Sequence, residues 1–175
     1  IDFIKNGEDL SFKHFESDRV IIIRAFTKFF GIPGLRLGYS ICYNKKWVST
    51  ANNLKEPWTI NTFAASCGEF LLNSNKFIEK TYKTLEKEKN RMLNGLTKIK
   101  NIRVFKSESN FLLIKLMEIS GTELYNKLLE KGFLIRRCEN FNFLDDSYVR
   151  IAIKDKKSNK NFIKAINKIT KNRNV

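Results

Sequence analysis

The sequence predicts an α/β chain with a second, compact α+β part, and three observations carry that expectation. Val20 to Ile23 is an unbroken β-branched run, the pattern of a strand buried on both faces inside a parallel sheet. Leu35 to Tyr43 alternates, with Leu35, Leu37, Tyr39, Ile41 and Tyr43 on one face and Arg36, Gly38, Ser40 and Cys42 on the other, which predicts a second strand. From Phe77 onward the apolar residues Phe77, Ile78, Tyr82, Leu85, Met92, Leu93, Leu96 and Ile99 recur at helical spacing, which predicts a long amphipathic helix.

The remaining elements follow in order. Ile1-Asp2-Phe3 reads as the end of a strand. The Val20 to Ile23 strand ends near Phe26, and Gly31, Pro33 and Gly34 break the chain before the alternating strand, on which Arg36 stands on a face of small residues. Pro57 and Trp58 punctuate the next junction, and Phe63 to Leu72 reads as a helix of small and apolar residues. The long helix carries the domain boundary, with residues 1–75 in one domain and 76–175 in the other. Strands follow near Ile102 to Phe105 and Asn110 to Leu116. A helix then starts at Ser120-Gly121-Thr122-Glu123, which has capping-box form, and stops at Gly132. Strands at Phe133 to Arg136 and Tyr148 to Ile153, and a last helix carrying Phe162, Ile163, Ile166 and Ile169, complete an α+β unit.

Composition narrows the classes. With 42% hydrophobic and 13% aromatic residues, a chain of 175 residues can bury a core, and disorder is excluded. The 33 Lys and Arg against 18 Asp and Glu leave a formal charge of +15, which brings anionic ligands and nucleic acids into consideration. No apolar run approaches the roughly 18 residues that cross a bilayer, and no basic-then-apolar signal segment opens the chain. Cys42, Cys67 and Cys138 form no C-x-x-C pair and only His14 could join them, so a reducing cytoplasm is expected, without a structural zinc site or disulfide framework.

The informative segment is Arg24 to Tyr39. A lysine at the exit of a buried strand, beside a glycine-broken turn, loses solvation and offers its amine as a nucleophile toward carbonyl carbon. Lys28 is so placed, with the Thr27 hydroxyl beside it and the Arg36 guanidinium eight residues on, so that one short segment can hold an aldehyde and a phosphate. A lone lysine after a strand is ordinarily a solvated surface residue; it is the whole pattern that singles out Lys28.

Ala25-Phe26-Thr27-Lys28 followed by Gly34-Leu35-Arg36-Leu37-Gly38 resembles the lysine motif of the fold-type I pyridoxal-phosphate enzymes, the aminotransferase superfamily. The resemblance implies a C-terminal part of such a transferase: a remnant of the large-domain sheet in residues 1–75 and a small α+β C-terminal domain in 76–175. It implies pyridoxal 5'-phosphate as cofactor, Lys28 as the catalytic amine that condenses with the cofactor aldehyde, and Thr27 and Arg36 as its phosphate ligands. Ala25 stands where the family usually has a hydroxyl residue.

Two more stretches narrow the family. Glu56-Pro57-Trp58-Thr59-Ile60-Asn61 is similar to the segment near the domain junction of threonine-phosphate decarboxylases and histidinol-phosphate aminotransferases. The stretch from Phe133 to Phe141, then Leu144-Asp145 and Tyr148 to Ala152, resembles the decarboxylase more than the aminotransferase, although Arg137 and Phe143 replace its usual Asp and Gly. By this resemblance Arg150 grips the substrate carboxylate and Arg136 lines the substrate pocket. The implied reaction is decarboxylation of L-threonine O-3-phosphate to aminopropanol phosphate in cobalamin biosynthesis, with histidinol-phosphate-type transamination as the alternative. The family also implies a small phosphorylated amino-acid substrate, a cytoplasmic homodimer and no metal. Nearly all of this sequence is covered, but only about the C-terminal half of a family member. The Asp that pairs with the pyridinium nitrogen is therefore expected upstream of Ile1, and this chain alone is expected to be inactive or nearly so. From another class, the charge and the aromatic residues Phe29, Phe30, Trp47 and Trp58 among lysines suggest a basic nucleic-acid-binding protein, but no nucleic-acid motif accompanies them.

Overall fold

The structure, a computed structural model, describes residues 1–171, so the last positions of the expected small domain, 172–175, lie outside the described residues. The chain divides into two compact units, Ile1–Glu79 and Lys80–Val175. Among the described residues no helix is long and apolar enough to cross a membrane.

In the first unit, two short 3-10 turns, Gly7–Leu10 and Phe12–His14, precede strand β1, Ile21–Ala25. β1 leads directly into a one-turn helix, α1, Phe26–Phe29, and a 3-10 turn at Pro33–Leu35 brings the chain to β2, Gly38–Cys42. The two strands pair antiparallel, from Ile21 opposite Cys42 to Ala25 opposite Gly38. This corrects the expectation of a doubly buried parallel strand, since Ile21 and Ile23 are exposed, Ile23 to 82%. A β-branched run reports strand propensity but not what covers its faces, and within this unit β2 is the only strand beside it.

The second strand is also shorter than its alternation suggests. Pro33 at the start of the 3-10 turn and Arg36 in the left-handed region (φ 53°) hold residues 33–36 out of extended geometry, so Arg36 sits on a turn and not on a strand face. Helix α2, Lys45–Leu54, was not expected; the Asn44 side chain caps it by accepting from the backbone N–H groups of Lys46 and Trp47. Helix α3 spans Thr62–Leu72, and α4, Asn75–Leu96, runs across the boundary between the units.

The second unit is a four-stranded antiparallel sheet with helices on one face. Strands β3, Ile102–Val104, β4, Phe111–Leu116, β5, Arg136–Arg137, and β6, Tyr148–Ala152, lie in the order β3-β4-β6-β5. Helices α5, Gly121–Leu129, and α6, Lys156–Lys171, follow β4 and β6. Leu112, Ile114 and Leu116 from β4 and Val149 and Ile151 from β6 point into one core with Met92 and Leu96 of α4, Leu124 and Leu128 of α5, and Phe162, Ile166 and Ile169 of α6. Ser120 caps α5 through the backbone N–H of Glu123, and Gly132 lies in the left-handed region just past its end.

Of the expected Phe133 to Arg136 strand only Arg136 reaches the β6 ladder, where Arg137 follows it, because Leu134 turns outward and Ile135 drops into the core first. A buried polar contact links α4 to α6. Glu88 of α4 accepts hydrogen bonds from Asn159 Nδ2 at 3.0 Å and Arg91 Nε at 3.0 Å. Burial pushes its carboxyl up, but these donors outweigh that and hold it below the ordinary value.

Candidate active site

The first group of candidate residues lies on the loop that joins β1 to β2. Phe26 N–H donates to the Leu37 carbonyl and Ile32 N–H to the Thr27 carbonyl, both at 3.2 Å, so the loop is closed at two places. Phe26, Leu37 and Ala64 form a small buried cluster beneath it. Gly38 is needed where the strands meet, since a Cβ there would stand 2.7 Å from the Arg24 carbonyl oxygen.

Thr27 and Lys28 fall within α1, and Arg36 ends the 3-10 turn. Lys28 is exposed, whereas Thr27 is 8% exposed and its Oγ1 is buried with no hydrogen-bond partner. A buried hydroxyl without a partner loses its hydration and gains nothing, unless a ligand supplies an acceptor. Arg36 is exposed and spends one donor on the Pro33 carbonyl at 3.1 Å, which leaves most of its guanidinium available. Thr27, Lys28 and Arg36 therefore share one closed loop that can take an anion and present an amine.

Two supports of this loop escaped the sequence reading. Asn61 caps α3 by accepting from Ala64 N–H at 2.9 Å and also donates through Nδ2 to the Leu35 carbonyl at 3.1 Å, which fixes the turn that carries Arg36. Arg24, four residues before Lys28, bonds Asp2 and also Glu8 Oε1 at 2.7 Å. Its hydrogen bond holds the Glu8 carboxyl at about 2, well below the usual carboxylate range. An arginine inside a run of aliphatic residues was the available signal for this network.

The second group lies in the other unit. Arg136 of β5 and Arg150 of β6 are direct cross-strand partners. Arg150 lies over the Phe111 ring at 4.7 Å and Arg136 over the Phe141 ring at 5.6 Å, and Arg136 also donates to Asn140 Oδ1 at 2.9 Å. Like charges placed directly opposite repel, so this pair suits an anion bound between its two planar forks. Cys138 is buried beside them; burial pushes its thiol up, while the two arginines pull the other way.

Arg137 alternates to the other face, where it donates to Thr122 Oγ1 at 2.6 Å and pairs with Glu139 at 3.0 Å. Phe143, in the following loop, is fully exposed and left-handed (φ 68°).

A model of the family "Aminotransferase class I and II" matches residues 3–166. Among solved structures, the histidinol-phosphate aminotransferase from Clostridium acetobutylicum is 41% identical with a TM-score of 0.86, over 93% of this chain and 49% of that one. Among curated proteins, the "putative threonine-phosphate decarboxylase" of Caldanaerobacter subterraneus subsp. tengcongensis is 40% identical over 149 residues, 85% of this chain and 40% of that protein. The histidinol-phosphate aminotransferase of Methanocaldococcus jannaschii is 32% identical over 169 residues, 97% of this chain and 45% of that protein. The chain thus spans about half the length of the curated relatives it matches. With the family model covering nearly its whole length, including both the lysine loop and the arginine pair, the chain belongs to the class I and II aminotransferase family.

Proposed function

We propose that this chain supplies the lysine, the phosphate ligands and the substrate-anion residues of a pyridoxal-phosphate-dependent enzyme acting on a phosphorylated amino-acid-type substrate, by transamination of the histidinol-phosphate type. The observation that carries the reading is the cross-strand pair Arg136 and Arg150, two guanidinium groups on one sheet face, each seated on an aromatic ring and, among the described residues, neither in an ion pair with a carboxylate. Similarity to the Clostridium acetobutylicum and Methanocaldococcus jannaschii aminotransferases supports transamination over decarboxylation.

The cofactor is pyridoxal 5'-phosphate. The residues of the loop fit it: the partnerless buried hydroxyl of Thr27 and the free donors of Arg36 would take its phosphate, and Lys28 Nζ would hold its aldehyde carbon. When bound, the cofactor supplies an electron sink for the bond at the substrate Cα that stands perpendicular to its ring. Arg136 and Arg150 would hold the substrate's anionic group through paired donors. Lys28, exposed in α1, carries an amine that would accept and give back a proton at Nζ once freed from the aldehyde.

A second reading, decarboxylation of L-threonine O-3-phosphate, rests on the Phe133 to Phe141 stretch and on the 40% identity to the Caldanaerobacter protein. Product analysis separates the two in protein expressed from the complete reading frame and supplied with the cofactor. Conversion of histidinol phosphate that requires a 2-oxo acid as amino acceptor is the expected result. Carbon dioxide from phosphothreonine would replace transamination by the second reading, and turnover of neither would overturn both.

A further inference from the structure

The face of the second unit's sheet that carries Arg136 and Arg150 holds another pair of like charges. Arg103 of β3 and Lys115 of β4 are direct cross-strand partners. Lys115 stands opposite Tyr148, and Leu113 opposite Arg150, so strand alternation puts Arg103, Lys115, Arg150 and Arg136 on one face. The alternate residues of these strands, such as Ile114 and Val149, fill the core on the other face.

Like charges directly opposite each other on a sheet cost stability, and a surface position has no need of one. Both cations are also held in place. Arg103 lies 5.1 Å over the Phe105 ring and Lys115 5.3 Å over the Tyr148 ring, and those two rings stack on each other at 6.3 Å. Among the described residues neither cation makes an ion pair. Asp145, the carboxylate that feels Lys115, is bonded to the backbone N–H and hydroxyl of Ser147. The arrangement is therefore two cations fixed one strand apart and seated on aromatic rings, with no ion pair among the described residues and only Asp145, beyond ion-pair distance, nearby.

We infer that Arg103 and Lys115 form a second anion site, which takes a phosphate group as the free ion or as an ester. Lys115 is a diagonal neighbour of Arg150 across the β4–β6 ladder, and such neighbours lie about 7–8 Å apart. A phosphorylated substrate is thus gathered beside the Arg136–Arg150 pair before it is held there. That role rests on the proposed substrate site; the anion site itself does not.

The test is titration of the full chain with inorganic phosphate at about 0.15 M sodium chloride, where long-range attraction between exposed charges is largely screened. Binding is followed by nuclear magnetic resonance of the arginine Nε–H and backbone amide groups. Two saturable responses are expected, one at Arg103 and Lys115 and one at Arg136 and Arg150. The double variant Arg103→Gln/Lys115→Gln should weaken the first response about tenfold or more and leave the second unchanged, and Arg136→Gln/Arg150→Gln should do the reverse. A response at Arg103 that never saturates, or that chloride reproduces at equal ionic strength, shows counter-ion screening only and overturns the inference. So does a first response unchanged in the Arg103→Gln/Lys115→Gln protein. If Arg136→Gln/Arg150→Gln leaves both responses intact, the substrate-site reading fails while the Arg103–Lys115 site stands. With phosphate ester and free ion titrated side by side, stronger binding of the ester supports the gathering role, and equal binding removes that role.

Discussion

The two units hold their candidate residues by different means. Arg136 and Arg150 stand on a sheet whose other face is filled by a continuous core from three helices and three strands, including Leu112, Ile114, Val149 and Ile166. Lys28 stands on a segment closed by a few hydrogen bonds over a small cluster of three buried residues, Phe26, Leu37 and Ala64, with partly buried neighbours such as Phe30 and Tyr39, in a unit that exposes Ile23, Trp58, Phe63 and Phe70. The arginine pair is thus held by packing, which resists displacement, and the lysine by local hydrogen bonds, which yield more easily.

The largest test of that contrast is Ile166→Ala, which empties a fully buried position in the second unit and should cost about 2–5 kcal/mol in urea unfolding. Ile23→Ala in the first unit should change stability by less than about 0.5 kcal/mol, since the side chain is 82% exposed. Equal losses would erase the distinction. Next in size, Asn159→Ala removes a donor to Glu88 and both side-chain bonds to the Lys154 backbone, at a cost of roughly 1–3 kcal/mol in the same assay. Phe143→Gly should stabilise the protein by about 1 kcal/mol, because glycine adopts the left-handed backbone there without steric conflict; a loss would show that the exposed ring has packing value.

The smallest effect is a pH dependence in the first unit. Glu8 has a folded-state pKa of about 2 against an ordinary 4.5, so its stabilisation is present above the ordinary value and is lost as pH falls through the folded one. The Glu8 side chain is 45% exposed, so solvent screening keeps the effect well below about 1 kcal/mol. The stability difference between the protein and Glu8→Gln should shrink as pH falls from about 6 to about 3. A difference that grows would reverse the sign assigned to the Arg24 contact.

Much of the second unit was legible because its elements carry their own signals. The apolar run from Asn110 to Leu116, the Ser120 cap and the apolar stripe of α6 are local features that the core then uses. The first unit was less legible. Whether Ile21 and Ile23 are covered depends on neighbouring elements and not on their own run, and the left-handed turn at Arg36 overrode an alternating pattern that continued through it. The candidate site divides in the same way. Thr27, Lys28 and Arg36 were named from a short local motif and its family resemblance, and Arg136 and Arg150 from the resemblance, whereas the bond from Asn61 to the Leu35 carbonyl and the ion pairs of Arg24 required the fold, since their partners lie 16 to 26 residues away in sequence.

Borohydride reduction in the presence of pyridoxal phosphate, followed by mass mapping of the labelled peptide, tests the central claim most directly. The account predicts one dominant label at Lys28, lost in Lys28→Ala and weakened in Thr27→Val, whose side chain keeps the size but lacks the hydroxyl. Label spread evenly over the many exposed lysines, and unchanged in both variants, would contradict it.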